Sequence, residues 1–207
     1  MGKIINTNSF QLTKWKHWKS KWYHELSLTQ RSLEDWTINV YITTSLDRMG
    51  LIYSAPVIKR SKTGLLIFIN LLDQEKINAL EIQGASKVLA HNMQRLLKQP
   101  INLIIRKLTF PDAHMVAMQV KHSIRNGKSL TYAFGKILVN LKKQNSIRGI
   151  RIECSGRPKK ADMAKTEWTK FGRIPLHDQN RPIDYAYTSC VLKYGKYGIK
   201  VWMSKEK

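Results

Sequence analysis

Residues 151–177 read RIECSGRPKKADMAKTEWTKFGRIPLH and combine chemically reactive side chains with many cations. Cys154, Ser155 and His177 are residue types found in nucleophilic sites, whereas the surrounding lysines and arginines are typical of a surface that lies on nucleic acid. A nucleophile needs a base within hydrogen-bond reach and a third group that orients that base. Cys154 lies in an alternating strand pattern and no glycine elbow surrounds Ser155, so the sequence favours the nucleic-acid interpretation.

An enzyme is the alternative hypothesis: a nuclease or lyase that uses His177 with Cys154 or Asp184. The stretch GRPKKADMAKT (156–166) does not match a phosphate-binding loop, because it lacks the second glycine and the Gly-Lys-Ser/Thr ending. Cys154 and Cys190 show no CxxC spacing, and we expect both to be small apolar side chains buried in strands. We therefore expect no enzymatic activity, no metal site and no cofactor.

The charge of the chain points to a polyanionic partner. Lysines and arginines number 36 against 14 aspartates and glutamates, a formal charge of +22. Such a surface repels itself unless a polyanion neutralises it. Between Glu81 and Glu153 the only carboxylate is Asp112, against 13 lysines and arginines. A merely solvated surface mixes its signs, so this asymmetry favours binding to the phosphates of RNA.

The N-terminal segment is basic and aromatic. The first 24 residues contain no acid, and KWKHWKSKWY (14–23) interleaves lysines with Trp15, Trp18 and Trp22. Tryptophans at i, i+3 and i+7 fit one packed face of a helix. A basic, acid-poor N-terminus also fits an organellar transit peptide, and lysines beside flat rings fit contact with RNA. These alternatives stay open at this point.

The residues that we predict to bind RNA are cations of these acid-poor stretches and one tryptophan. In residues 151–177 we expect Arg157, Lys159, Lys160, Lys165 and Arg173 to face RNA and Trp168 to be at least partly packed. The complete set is Lys14, Lys16, Lys19, Lys21, Arg106, Lys107, Arg125, Lys128, Lys136, Lys142, Lys143, Arg148, Arg151, Arg157, Lys159, Lys160, Lys165, Trp168 and Arg173.

Apolar periodicity predicts an α+β fold in two domains that meet near Phe110-Pro111. In the first domain, a weak helical pattern over 38–49 precedes two β-rich runs, IYSAPVIKR (52–60) and TGLLIFINLL (63–72), which are typical of a hairpin. A helical stripe and the strand INLIIRKL (101–108) follow. The stripe consists of Val88, Leu89, Met93, Leu96 and Leu97.

The second domain begins with two helical faces that Asn126-Gly127 separates. Four alternating runs come after them and predict a small mixed sheet with one face covered by the helices. These runs are GIRIECSG (149–156), GRIPLH (172–177), DYAYTSCVL (184–192) and GIKVWMS (198–204). The longest apolar run, GLLIFINLL (64–72), is strand-sized, and a membrane span needs about 18 residues. We expect no membrane partner and no small-molecule substrate.

Five ordered motifs resemble a known family. SGRPKKADMAKTEWTKFGRIPLH (155–177), IDYAY (183–187) and YGKYGIKVWM (194–203) are similar to the C-terminal domain of the ribosomal small-subunit protein three family. Its members carry S-G-R, A-x-T-E-W, G-R-x-P-L-H, I-D-Y and Y-G-x-x-G-x-K-V-W in this order. MGKI (1–4) and WKSKWY (18–23) resemble the family's opening motifs, which argues against a cleaved transit peptide. The resemblance implies a structural RNA-binding protein of the small ribosomal subunit.

The resemblance also implies a domain layout. We expect an N-terminal extension over residues 1–36, a KH-like domain of the second type over 37–110 and the family's C-terminal domain over 111–207. In a KH fold a G-x-x-G loop lets the nucleic-acid backbone approach closely. Here the best aligned stretch is EIQG (81–84), in which Glu81 replaces the first glycine. We expect a degenerate clamp with few RNA contacts, so that Glu81→Gly should alter assembly little.

Bacterial relatives carry two adjacent arginines where messenger RNA enters the subunit, and Thr131 and Tyr132 align with them here. Arg125, Lys128 and Lys136 are near substitutes, so the resemblance implies a basic channel lining without the family's route to unwinding. The implied partners are small-subunit ribosomal RNA, messenger RNA at this channel and neighbouring proteins of the subunit head. Abundant Ile, Lys and Asn, and an ending at WMSKEK (202–207) without a basic tail, favour a mitochondrial ribosome over a plastid or bacterial one.

Overall fold

The computed structural model places two compact units in the chain. It describes residues 6–12, 14, 17–22, 28–61, 64–72, 79–142, 147–157 and 162–205, with the backbone alone for 79–83 and 85. The middle unit is Trp18–Thr109, and the C-terminal unit is Phe110–Lys207 together with the N-terminal residues up to His17. The compact units divide at 17/18 and 109/110, and the predicted domain limits at 36/37 and 110/111 stay predictions.

The middle unit contains a four-stranded sheet in the order β1-β2-β3-β4. β2 and β3 form the predicted antiparallel hairpin, β3 and β4 are parallel and connected through α3, and the short β1 is parallel to β2. Alternate side chains of β3, from Leu65 to Leu71, are buried. The elements are β1 (Ser20–Lys21), α2 (Leu28–Arg48), β2 (Val57–Ser61), β3 (Gly64–Leu72), α3 (Ala79–Leu97) and β4 (Ile101–Leu108).

Helix α2 begins at Leu28, ten residues before the start that the sequence predicted. The first turns lack an apolar stripe, since Leu33 and Trp36 are exposed while Asp35 is buried. Asp35 is compensated by Arg60 of β2, whose Nη2 lies 2.6 Å from Asp35 Oδ1, and Trp22 Nε1 donates to Asp35 Oδ2 at 2.7 Å. An ion pair that replaces apolar packing leaves no hydrophobic period to detect.

The predicted stripe of α3 is partly wrong. Leu89 and Met93 are buried as expected, whereas Val88 and Leu96 are 60% and 68% exposed. The stripe contains residues that are adjacent in sequence, and neighbours on a helix point about 100° apart, so both members of such a pair cannot face one sheet.

The C-terminal unit packs two helices on one face of a second four-stranded sheet, in the order β6-β5-β8-β7. All three strand pairs are antiparallel, so the expectation of a mixed sheet is wrong. β7 and β8 are joined by a tight turn, which permits only antiparallel pairing. The elements are α4 (Ala113–Arg125), α5 (Leu130–Lys142), β5 (Ile147–Gly156), β6 (Lys165–Gly172), β7 (Ile183–Leu192) and β8 (Gly195–Lys205).

One predicted strand is in the wrong place. GRIPLH (172–177) was expected to be a strand, but β6 ends at its first residue, Gly172. Gly172 has φ +69°, a left-handed conformation that turns the chain out of the ladder, and Pro175 has no N–H to donate to a neighbouring strand. The strand therefore lies earlier, over KTEWTKFG (165–172), where it carries Trp168.

The N-terminal residues cover the outer edge of β7. The short helix α1 (Thr7–Phe10) precedes Gln11, whose Oε1 accepts from Ile183 N at 2.9 Å, and Asn8 Nδ2 donates to Tyr185 O at 2.9 Å. Side-chain amides thus satisfy backbone groups that an edge strand would otherwise expose. Further along, Trp18 is outside any helix and 68% exposed, so the one-faced helix considered for the tryptophans is wrong in the described residues.

No helix in the described part of the chain is long and apolar enough to cross a membrane.

Candidate nucleic-acid interface

The face of the C-terminal sheet that lies opposite α4 and α5 carries rings and cations, and we call it the open face. Side chains of residues paired directly across antiparallel strands share one face of a sheet. The core between sheet and helices contains Ile150, Ile152 and Cys154, so the alternate residues of β5 point the other way. Two rows of paired residues cross the open face: Lys170, Arg151, Trp202 and Tyr185, then Trp168, Glu153, Lys200 and Tyr187.

A stack of planar groups runs along the open face. The guanidinium carbon of Arg151 lies 5.0 Å from the ring centroid of Trp168 and 5.5 Å from that of Trp202. Trp202 in turn lies 5.4 Å from Tyr185, with an interplanar angle of 40°. Trp202 is 2% exposed and Trp168 is 58% exposed, so the stack leads from the interior to solvent. Arg151 is fixed by Glu153, with Nη2 and Oε2 3.1 Å apart.

A second group of predicted cations lies at the connection between α4 and α5. Arg125, Lys128 and Lys136 are exposed there, and Lys128 Nζ lies 5.2 Å from the ring centroid of the exposed Tyr132. Lys142, in the last turn of α5, lies 4.7 Å from the ring centroid of Phe171 in β6. Arg125, Lys128 and Lys136 therefore lie at or near the α4–α5 connection, whereas Lys142 lies at the opposite end of α5, beside β6.

The predicted cations of the middle unit lie at two opposite edges of its sheet. Lys19 and Lys21 are exposed on or beside β1, and Arg106 and Lys107 are exposed on β4. Arg106 lies 5.3 Å from the ring centroid of Phe68 in β3.

The remaining predicted residues divide into two sets. Lys14 is exposed and its Nζ donates to Asn180 Oδ1 at 2.7 Å, which places it beside the loop that precedes β7. Arg148, Arg157, Lys165 and Arg173 are exposed at the ends of β5 and β6. Four predicted residues lie outside the described part of the chain: Lys16, Lys143, Lys159 and Lys160.

Sequence reasoning missed three cations that the sheets place beside aromatic rings. Lys170 and Lys200 lie on the open face in the same rows as Arg151 and Trp168. Lys59 Nζ lies 5.0 Å from the Phe68 ring centroid. The alternation of Trp168 with Lys170 in TEWTK was a signal that a strand, once recognised, would put both on one face.

The residues of the alternative catalytic set do not form a nucleophilic site. Cys154 faces the helices and Ser155 points to the opposite face of the same strand. Burial raises the pKa of the Cys154 thiol to about 12, which opposes formation of a nucleophilic thiolate. His177 is exposed in a turn, and Asp184 Oδ2 accepts from Ala113 N at 3.0 Å at the start of α4. The described residues bring together no three potential metal ligands.

The backbone of the expected clamp is helical. Residues 81–84 lie within the first turns of α3 and not in a loop. Gly84 is exposed, has ordinary helical φ and no atom within 4 Å of the position where a Cβ would stand. Nothing at Gly84 requires a glycine, so the described backbone does not present the close approach of a KH loop.

The comparisons with known proteins agree with the motifs. The family model described as "Ribosomal protein S3, C-terminal domain" matches residues 120–203, which span α4 to β8. A Wolbachia pipientis protein named small ribosomal subunit protein uS3 is 30% identical over 210 residues, covering 96% of this chain and 97% of that protein. The chain belongs to the uS3 family.

Two further uS3 proteins are similar over nearly the whole chain. The protein of Myxococcus xanthus is 29% identical over 207 residues, with 99% of this chain and 92% of that protein covered. The protein of Kosmotoga olearia is 29% identical over 207 residues, with 99% and 95% covered. Membership of the uS3 family supports a structural ribosomal role, and the enzyme built on His177 has no support.

Proposed function

We propose that the chain is a structural constituent of the small ribosomal subunit that binds small-subunit ribosomal RNA through its exposed cations. The observation that carries the proposal is the exposure of the predicted set: each described cation in it is exposed except Arg151. Exposed lysines and arginines at a formal charge of +22 displace counterions from phosphates. The names of the bacterial relatives supply the subunit.

Within the subunit, we place the chain in the head, beside the channel through which messenger RNA enters. Arg125, Lys128 and Lys136 at the α4–α5 connection support a basic lining of that channel. Thr131 and Tyr132 are exposed at the start of α5, at the positions that the family resemblance aligns with the paired arginines. The lining would hold messenger RNA without the paired arginines of the family's unwinding route.

The middle unit serves, in this proposal, as a KH-like scaffold that contacts neighbouring proteins of the head. Leu33, Trp36 and Val40 are exposed along α2, and exposed apolar groups of this kind are typical of protein contacts. At residues 81–84, Glu81 replaces the first glycine of the clamp and the backbone is helical. Both features support a unit whose clamp stretch makes no close contact with the RNA backbone.

We also propose a mitochondrial ribosome as the location, with plastid and bacterial ribosomes as the alternatives. The abundance of Ile, Lys and Asn supports an AT-rich organellar genome, while the compared relatives are bacterial. Cosedimentation of the tagged chain with mitochondrial, with plastid or with bacterial small subunits would distinguish these locations.

The proposed function is tested by the salt dependence of binding to small-subunit ribosomal RNA. Replacing Arg157, Lys165 and Arg173 together by Ala should weaken binding across RNA sequences and flatten the slope of log K against log salt by roughly 0.7 to 0.9 per lost phosphate contact. The matched control removes Arg48, Lys87 and Arg95, which are exposed cations of the middle unit outside the predicted set. An unchanged slope in the first variant, or equal losses in both, would contradict the assignment of these residues.

A further inference from the structure

Trp168 differs from the other exposed tryptophans because a fixed cation supports it. One guanidinium, that of Arg151, lies over its ring, and the side chain is still 58% exposed. The Arg151 guanidinium is itself restrained, since its Nη2 lies 3.1 Å from Glu153 Oε2 and its carbon lies 5.5 Å from the ring centroid of the buried Trp202. Trp168 is therefore an exposed ring in a nearly fixed orientation.

A ring that is already ordered loses little conformational freedom when a ligand stacks on it. The groups around Trp168 are charged or small and polar, which restricts the ligand that fits. Lys170 lies on the same strand and Lys200 two strands away, roughly 10 Å at the usual strand spacing. The next row across the open face consists of Thr166, Ser155, Gly198 and Ser189.

We propose that Trp168 stacks on an unpaired base of RNA, with Lys170 and Lys200 binding the phosphates on either side of that nucleotide. The inference rests on the proposed function and gives it a specific site. A four-stranded sheet that has helices on one face and rings with cations on the other is a recurrent way of holding single-stranded RNA. The row of hydroxyl-bearing and small residues leaves room and hydrogen-bond partners for the ribose and the base edge.

The ligand is an unpaired base and not a duplex, because a duplex hides the faces of its bases and offers phosphates alone to a flat surface. The same surface is a poor protein contact. Among the described residues, the side chains next to Trp168 in its row and in the adjoining rows are Arg151, Glu153, Lys170, Thr166 and Ser155, and none of them is apolar.

The experiment uses the full chain and three RNA hairpins of identical sequence outside one position, which is a bulged adenosine, a bulged abasic nucleotide or fully paired. Trp168→Ala should weaken binding to the bulged-adenosine hairpin by roughly 5- to 50-fold. It should leave binding to the abasic and paired hairpins within about twofold of the unaltered chain, since these offer no base to stack on. Trp168→Phe should restore part of the affinity.

Trp36→Ala is the matched control, because Trp36 is 62% exposed on α2 of the middle unit, and it should leave all three affinities unchanged. Unfolding curves of each variant identify any loss that arises from misfolding, and the Phe variant keeps the test decisive if the Ala variant unfolds. Equal losses on all three hairpins, or none on the bulged adenosine, would overturn the stacking site. If the stacking site fails but the unaltered chain binds ribosomal RNA with a steep salt dependence, the proposed function still holds. If the unaltered chain does not bind ribosomal RNA, the proposed function is wrong.

Discussion

The two sheets of this protein combine the same groups in different ways. In the C-terminal sheet, one cation lies over Trp168 and the ring is 58% exposed. In the middle sheet, Lys59 and Arg106 both lie over Phe68, at 5.0 and 5.3 Å, and the ring is only partly exposed. A ring supported by one cation still offers a surface to a base. A ring that two cations cover serves to pack the sheet and to hold those cations in place.

Aromatic and basic composition alone therefore does not locate an RNA site. Both sheets would satisfy a search for cations near rings. In the part of the chain that the structure describes, only the open face of the C-terminal sheet combines a largely exposed ring, a cation that supports it and further cations in neighbouring positions of the strands. Removing the exposed ring of Trp168 should change binding to an unpaired base, whereas removing the covered ring of Phe68 should change stability.

The largest effect is expected from Gly172→Ala, which tests the strand that carries Trp168. A Cβ at Gly172 would stand 2.1 Å from Arg148 O, and φ is +69°. The substitution should lower the free energy of unfolding by about 3 kcal/mol and weaken binding to the bulged hairpin, because β6 must move away from β5. Urea unfolding and RNA titration measure the two effects.

Gly127→Ala is the control for this variant. Gly127 has φ +72° with no atom within 4 Å of the Cβ position, so it should lose only about 1 kcal/mol, from conformational strain. Equal losses at the two positions would mean that the close approach of β6 to β5 is unimportant.

A smaller effect is expected from Phe68→Ala in the middle sheet. Loss of the partly buried ring should lower the free energy of unfolding by about 2 kcal/mol. Affinity for the bulged hairpin should stay within about twofold. Phe68→Leu keeps the apolar packing and removes the cation–π contacts, so it should lose about 1 kcal/mol. A selective loss of RNA affinity in Phe68→Ala with unchanged stability would erase the distinction between the two sheets.

The smallest effect is expected from Gly84→Ala, in the stretch that aligns with the KH clamp. An exposed helical glycine replaced by alanine should raise the free energy of unfolding by about 0.5 to 1 kcal/mol, because alanine has the higher helix propensity. RNA affinity should not change. A fall in affinity with intact folding would show that RNA approaches the backbone at Gly84, and the middle unit would then have an RNA site of its own.

Local periodicity was sufficient to predict the elements whose faces are sorted by hydrophobicity. The β2–β3 hairpin, α4, α5 and the burial of Cys154 all agree with the sequence. The beginning of α2 could not be predicted, because Asp35 is buried through an ion pair with Arg60, 25 residues away. Contacts of this kind depend on the tertiary structure and leave no local pattern.

The candidate site shows the same limit. Charge asymmetry was sufficient to select Arg151, and an aromatic ring among cations was sufficient to select Trp168, but the stack that joins them depends on the register of β5 against β6. Placing a strand at GRIPLH (172–177) concealed that register, and with it Lys170. The strand was misplaced because apolar and polar residues alternate in GRIPLH as they do in KTEWTK. Gly172 and Pro175 end the strand through the backbone conformation of the one and the missing N–H of the other, which the alternation does not show.

The amide side chains that cover the edge of β7 also affect the order in which the chain can fold during its synthesis. Asn8 and Gln11 bind groups that lie 177 and 172 residues later in the chain. At roughly 5 to 20 residues per second, the N-terminal segment waits about 10 to 35 seconds for that strand to be synthesised. The middle unit, whose strands are all complete by Leu108, can fold within this interval. Residues that are synthesised before the middle unit are thus among the last to reach their native contacts.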